Sequence, residues 1–181
     1  MKKSALLGMC LAAILSAGTL PASAQSHSPS TQWHWNKGKI MIDSPERPAG
    51  QKDVIGLTLP KMKTVRVGFV GLGMRGPDAV ADFALLPGVE IVALCDFEEP
   101  RAAKLNETLR KHGLAPAAIY SGAKGYEALC SRDDIDLVYI ATDWEHHAVV
   151  ARCALEHGKN VADEVPSAMN LEECWELVNL A

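Results

Sequence analysis

Basic residues are not in surplus in this chain: 18 Lys and Arg stand against 22 Asp and Glu over 181 residues, a formal net charge of −4. The shortfall removes the electrostatic footprint that nucleic-acid binding requires. Long apolar runs are equally scarce. Outside the extreme N-terminus no stretch approaches the ~20 residues that span a membrane. A composition of 48% hydrophobic and 22% charged residues is that of a globular chain with a core to bury. The length suits one domain of ordinary size with extensions.

Closely spaced cysteines are missing too. Cys95, Cys130, Cys153 and Cys174 form no C-x-x-C pair, and each falls in a segment with strand or helix character. That pattern argues against a zinc or disulfide framework. The four thiols are expected as buried apolar side chains.

The N-terminus carries Lys2-Lys3, an apolar run from Ala5 to Leu15, and small residues ending in Ala22-Ser23-Ala24. These are the three regions of a secretory signal, with cleavage expected after Ala24 and export to the periplasm or medium. Met9 before Cys10 lacks the small residue of a lipoprotein signal, and the basic pair is not a twin arginine. Residues 25–60 are rich in Ser, Pro, Gly, Gln and Lys without sustained periodicity, which reads as an extended arm with Trp33 and Trp35 as candidate anchors.

From residue 61 the reading is a single domain. Short apolar runs alternate with amphipathic stretches from Thr64 onward, the mark of a parallel sheet with crossover helices. Strands are expected at Val65–Val70, Glu90–Cys95, Ile119–Tyr120, Leu137–Ala141 and Asn160–Glu164. Helices are expected at 76–86, 99–112, 124–131, 146–157 and 171–180. Pro87-Gly88, Gly113 and Gly158 supply stops for the first, second and fourth helices. The fold class is therefore α/β, a Rossmann-type doubly wound parallel sheet. No C-cap follows the last helix, so the domain is expected to be incomplete at its C-terminus.

The first strand runs directly into Gly71-Leu72-Gly73-Met74-Arg75-Gly76, a G-x-G-x-x-G in the strand-turn-helix setting that gives the motif meaning. Gly71 permits the tight turn, Gly73 lets the backbone approach a pyrophosphate, and Gly76 permits close helix-strand packing. The helix N-terminus then offers N–H groups to the anion. Asp96, at the end of the second strand, has the position of a carboxylate that accepts from ribose hydroxyls and repels a 2′-phosphate, which favours NAD over NADP.

Thr142-Asp143-Trp144-Glu145-His146-His147 follows the fourth strand and opens the fourth helix, at the carboxyl edge where ligands of open α/β sheets bind. Thr142 and Glu145 also match a capping box. His146 and His147 are adjacent on a helix and diverge by about 100°, so they do not converge on a metal and none is expected. Pro166 ends the fifth strand and leaves Glu164 at the same edge.

These blocks resemble the N-terminal domain of the Gfo/Idh/MocA oxidoreductase superfamily over residues 65–178. VGFVGLGMRGPDAV, PGVEIVALCD, DDIDLVYIATDWEHH and ALEHGKNVADEVPSAMNLEECWELV are similar, more narrowly, to glycoside hydrolase family 109. The resemblance implies NAD as cofactor, with Met74 and Arg75 contacting it through the glycine loop and Asp96 holding the adenosine ribose. Trp144, Glu145, His146 and His147 would line it, and Glu164 and Val165 would lie by the nicotinamide. In the wider group the last motif is usually Glu-Lys-Pro; here it is Glu164-Val165-Pro166. Asp143 and Asp163 stand where the family usually has proline and an apolar residue.

The resemblance further implies hydrolysis of terminal α-linked N-acetylgalactosamine by transient oxidation at C3, elimination, water addition and re-reduction. That route differs from two-carboxylate glycoside hydrolysis. The resemblance places the base and sugar-binding residues in a C-terminal α+β substrate domain beyond residue 181, so no catalytic residue is assigned within the chain, which is expected to be inactive alone. The expected partner is a glycan ending in N-acetylgalactosamine, with no nucleic acid, no membrane after signal removal, and homo-oligomerisation left open. An NAD-dependent sugar or polyol oxidoreductase and a non-catalytic nucleotide-binding module remain alternatives.

Overall fold

A computed structural model describes residues 33–42, 49–50, 56 and 58–181. The expected signal segment lies outside the described residues. Within the arm, Trp33–Asn36 (β1) and Lys39–Ile42 (β2) pair antiparallel as a hairpin. Its turn places Lys37 at φ 49° and Gly38 at φ 76°, the two left-handed residues of a type I′ turn. Within the expected arm, eight residues thus form a local two-stranded sheet.

The domain follows the expected alternation. Val65–Val70 (β3), Val89–Asp96 (β4), Ala118–Ser121 (β5), Leu137–Ile140 (β6) and Asn160–Asp163 (β7) form one parallel sheet in the order β5-β4-β3-β6-β7. Gly76–Phe83 (α1), Glu99–Lys111 (α2), Gly125–Cys130 (α3), Trp144–Glu156 (α4) and Leu171–Leu180 (α5) connect and follow the strands. Expected boundaries were off by up to three residues, most at the end of α1, where Ala84, Leu85 and Leu86 turn out of the helix through i→i+3 and i→i+4 bonds ahead of Pro87-Gly88.

Central strands buried on both faces read as continuous apolar runs, because each side chain meets a helix layer. Val67 and Phe69 of β3 pack with Val80 of α1 and with Leu105 and Leu109 of α2. Val138 and Ile140 of β6 face the opposite layer, against Leu129 of α3 and Val150, Ala151 and Ala154 of α4. Phe69, Phe83 and Tyr139 form an aromatic triad with centroids 5.2–5.4 Å apart. Arg66 at the start of β3 is clamped to Asp136, before β6, by bonds of 2.6, 2.8 and 2.9 Å.

The expectation of four buried thiols holds for Cys95 and Cys130 only. Cys153 is half-buried and Cys174 is exposed, because Cys174 falls with Leu171 and Val178 on the outward stripe of α5.

Strand β3 has β4 on one side and β6 on the other, so the chain reverses direction across the sheet at β3. This is the topological switch point, and the crevice opens beyond the carboxyl ends of β3 and β6.

Candidate functional site

The crevice holds a cavity of about 740 Å³, a size suited to a bound small molecule. Its floor is backbone. The Gly71 N–H donates to the Cys95 carbonyl at 2.9 Å and the Ala141 N–H to the Val70 carbonyl at 2.8 Å, which ties together the exits of β4, β3 and β6. Gly71 has φ 90°, and a Cβ there would sit 2.5 Å from the Ala141 and Thr142 backbone. A Cβ on Gly76 would collide with the Gly71 carbonyl oxygen. Both glycines are therefore required by the protein's own packing.

Gly73 differs. A Cβ on it would meet nothing nearer than Arg101 Nη1 at 3.8 Å. No contact within the chain demands glycine at this position, whereas a phosphate approaching the backbone would. The N-terminus of α1 has no side-chain cap, so its N–H groups remain available to an anion. These two observations fit the residues present to a dinucleotide pyrophosphate.

Asp96 is 5% exposed. Its Oδ2 accepts from the Leu72 N–H at 2.7 Å and its Oδ1 from the Glu98 N–H at 2.9 Å, with Arg101 Nη1 at 3.4 Å from Oδ1. The carboxylate thus orients the glycine loop, and it faces the cavity. Arg101 is shared with Glu98, whose Oε2 lies 3.4 Å from Nε. Cys95 also lines the cavity, but burial, followed by the neighbouring Asp96 charge, pushes its thiol up to about 12. It stays protonated and is no nucleophile.

Along the β6 exit the helix cap is not the one expected. Helix α4 begins at Trp144, and Asp143 rather than Thr142 is its N-cap: Asp143 Oδ1 accepts from the His146 N–H at 3.2 Å and lies 2.7 Å from His146 Nδ1. The Thr142 hydroxyl instead donates to the Asp143 carbonyl, so the capping box does not form. The His146 bond, chief among the causes, holds the Asp143 carboxyl below its ordinary range. The two histidines diverge as expected, His146 to the surface and His147 into the interior at 1% exposure.

At the β7 exit the Val165-Pro166 peptide is cis. The Tyr139 hydroxyl donates to Glu164 Oε1 at 2.6 Å, and Arg75 Nη2 lies 3.9 Å from the same oxygen. Burial first, and that bond second, push the Tyr139 phenol up to about 12, so it acts as a fixed donor.

Of the residues expected at the site, Gly71, Gly73, Met74, Arg75, Asp96, Trp144, His146, His147, Glu164 and Val165 all line the cavity. Gly76 packs behind the loop and Glu145 is outside the lining. Sequence reasoning missed Phe97, Tyr126 and Tyr139. Phe97 and Tyr126 carry no motif, and Tyr139 was legible only as an alternating position in an apolar strand. Met74, Phe97, Trp144 and Val165 are each more than half exposed while lining the cavity, so the rim is apolar and the floor polar.

Comparison with known proteins agrees with this geometry. The model of the Gfo/Idh/MocA oxidoreductase family, NAD-binding Rossmann fold, matches residues 65–181. The chain is similar to glycosyl hydrolase family 109 protein 5 of Phocaeicola vulgatus, 61% identical over 99% of this chain and 35% of that protein. Protein 3 of the same organism is 66% identical over 87% of this chain and 29% of its own length. Among solved structures, myo-inositol dehydrogenase from Lactobacillus casei with NAD(H) and myo-inositol aligns with a TM-score of 0.56 and 27% identity, over 65% of this chain and 33% of that one. A 3-ketoreductase from Actinomadura kijaniata with NADP and TDP-benzene also aligns at 0.56, with 26% identity over 65% and 34%. The chain spans about a third of the length of these relatives.

Proposed function

The chain belongs to the Gfo/Idh/MocA oxidoreductase family, with its NAD-binding Rossmann fold, and from that premise we propose that the full-length protein is an NAD-dependent glycosidase cleaving terminal α-linked N-acetylgalactosamine. Bound NAD supplies a hydride acceptor that is restored within the cycle. This domain's residues bind and orient. The Gly73 backbone and the α1 N-terminus take the pyrophosphate, Asp96 the adenosine ribose, and Glu164, fixed by Tyr139, the nicotinamide end. Met74, Trp144 and Val165 form an apolar rim that keeps water from the reacting end.

The observation that carries the glycosidase reading over a plain dehydrogenase is Val165. It lines the cavity next to Glu164, 80% exposed, and has no proton to give or take where a dehydrogenase of this kind uses lysine on the reacting alcohol. The high identity to proteins named glycosyl hydrolase family 109 supports the same reading. We place the base and the sugar-binding residues beyond residue 181, residues 1–24 as a removable export signal, 25–60 as an arm, and 61–181 as the cofactor domain.

The test is incubation of the full-length protein with an α-N-acetylgalactosaminide in D₂O. Released sugar with deuterium at C2 is expected, because elimination removes that proton and water addition returns one from solvent. NAD binding with no sugar release, or accumulation of NADH with a free sugar, would overturn the reading in favour of a binding module or a dehydrogenase respectively.

A further inference from the structure

Helix α4 points a histidine into the wall of the cavity, and its surroundings are unusual for that side chain. His147 Nδ1 lies 2.8 Å from the Pro166 carbonyl oxygen, and Nε2 lies 3.1 Å from the Thr142 carbonyl oxygen. A carbonyl oxygen only accepts. Each ring nitrogen must therefore donate, and a ring that donates from both nitrogens is an imidazolium. A neutral ring would leave one lone pair directed at a carbonyl oxygen at 1% exposure, a repulsive contact at low dielectric.

An imidazolium at 1% exposure is costly unless paired. The pairing group is present. Asp163 Oδ1 is 3.5 Å from Nδ1, with side-chain exposures of 2% for the histidine and 8% for the aspartate. Both Asp163 oxygens are buried, and the Ser167 side chain is a further neighbour that favours the charged carboxylate. At the end of an apolar strand that carboxylate lies beside Ser167 and faces His147 as its countercharge.

Other charges near the pair are committed elsewhere. Glu164 of β7 is held by Tyr139 of β6. Asp143 and His146 of α4 face each other at the surface. On α3 Glu127 pairs with Lys124. On α5 Glu173 Oε2 accepts from the Met169 N–H, the Glu173 N–H donates to Asn170 Oδ1, and Glu176 pairs with Arg152 of α4. Burial raises the Asp163 carboxyl to about 6, with the His147 cation opposing that rise. A carboxylate 3.5 Å from an imidazolium is favoured in its ionised form.

We infer that His147 is a positioning residue carried as an imidazolium balanced by Asp163, which ties the Thr142 carbonyl after β6 to the Pro166 carbonyl after β7 and so sets the spacing between the turn that leads into Trp144 of α4 and the loop that carries Val165. It shapes the cofactor cleft through these carbonyls, with both ring nitrogens already spent. The inference rests on the chain's geometry and is independent of which sugar reaction the full-length protein performs.

The test is nitrogen-15 NMR of ring-labelled histidine in the full-length protein at about pH 8, where a free imidazole is neutral. The expected spectrum shows both His147 ring nitrogens protonated, assigned by their loss in His147→Gln. In Asp163→Asn one of those protons is expected to be lost, with NAD affinity lower by about tenfold. A bare ring nitrogen on His147 in the unaltered protein would overturn the inference, and so would retention of both ring protons in Asp163→Asn. Because the first measurement needs no variant of Asp163, a folding failure of that variant does not remove the test, and neither readout depends on glycoside cleavage.

Discussion

The Tyr139 hydroxyl reaches Glu164 at 2.6 Å, so a residue rooted in the aromatic triad between β6 and α1 fixes a carboxylate at the rim of the cleft. Removing the oxygen alone separates these roles. Tyr139→Phe should keep the fold, since the ring stays packed on Phe69 and Phe83. It should cost about 1 kcal/mol of cofactor binding, roughly fivefold in Kd, as measured by calorimetric titration of NAD.

The glycines of the loop should divide into two kinds. Gly73→Ala should leave the melting temperature nearly unchanged, within about 0.5 kcal/mol, while weakening NAD binding at least tenfold, because the added methyl occupies space the protein itself leaves open. Gly71→Ala should instead destabilise by several kcal/mol, on the order of 3, because φ 90° and the Ala141 backbone both oppose a side chain. Thermal melts beside NAD titrations distinguish the two patterns.

Asp96 should govern cofactor choice. Asp96→Asn keeps one acceptor for the loop amides but removes the charge that Arg101 now answers. The expected outcome is weaker NAD binding and stronger NADP binding, as the freed guanidinium meets a 2′-phosphate without a competing carboxylate. A ratio of Kd values for the two nucleotides that does not move would contradict it.

The Arg66–Asp136 clamp should set part of the acid limit of stability. Three bonds from Arg66, its side-chain bonds first, hold the Asp136 carboxyl below the ordinary carboxylate range. Because the folded value is depressed, the stabilisation is complete above about pH 4 and fades as pH falls through the folded value. Asp136→Asn should lose about 2 kcal/mol at neutral pH and show a flatter loss of stability below pH 4 than the unaltered protein, as read from melts across the acid range.

The residues differ in how far they betray their structure. Strands β3 to β7 were legible because each is an apolar run between turn residues, and the glycine loop because its spacing is tied to one backbone shape. The β1–β2 hairpin escaped, although Asn36-Lys37-Gly38-Lys39 is a turn signal, because four residues on each side are too few for periodicity to register. The cap passed from Thr142 to Asp143 because both can cap, and the choice depends on where α4 starts. For His147 the sequence supplied its angle around the helix. It did not supply its depth, because the carbonyls of Thr142 and Pro166 converge on the ring only when β7 lies beside β6. Asp163 was visible as an oddity in an apolar strand, with its counterpart hidden by the same fold dependence.

The floor of the cleft is made of main chain: the Gly71 amide on the Cys95 carbonyl and the Ala141 amide on the Val70 carbonyl. Such a floor has no side chain to lose. Mutational drift can rewrite Met74, Phe97, Trp144 and Val165 around the rim while a pyrophosphate keeps its seat. One inherited seat can therefore serve descendants with different reactions, provided that new chemistry is brought to the rim and never built into the base.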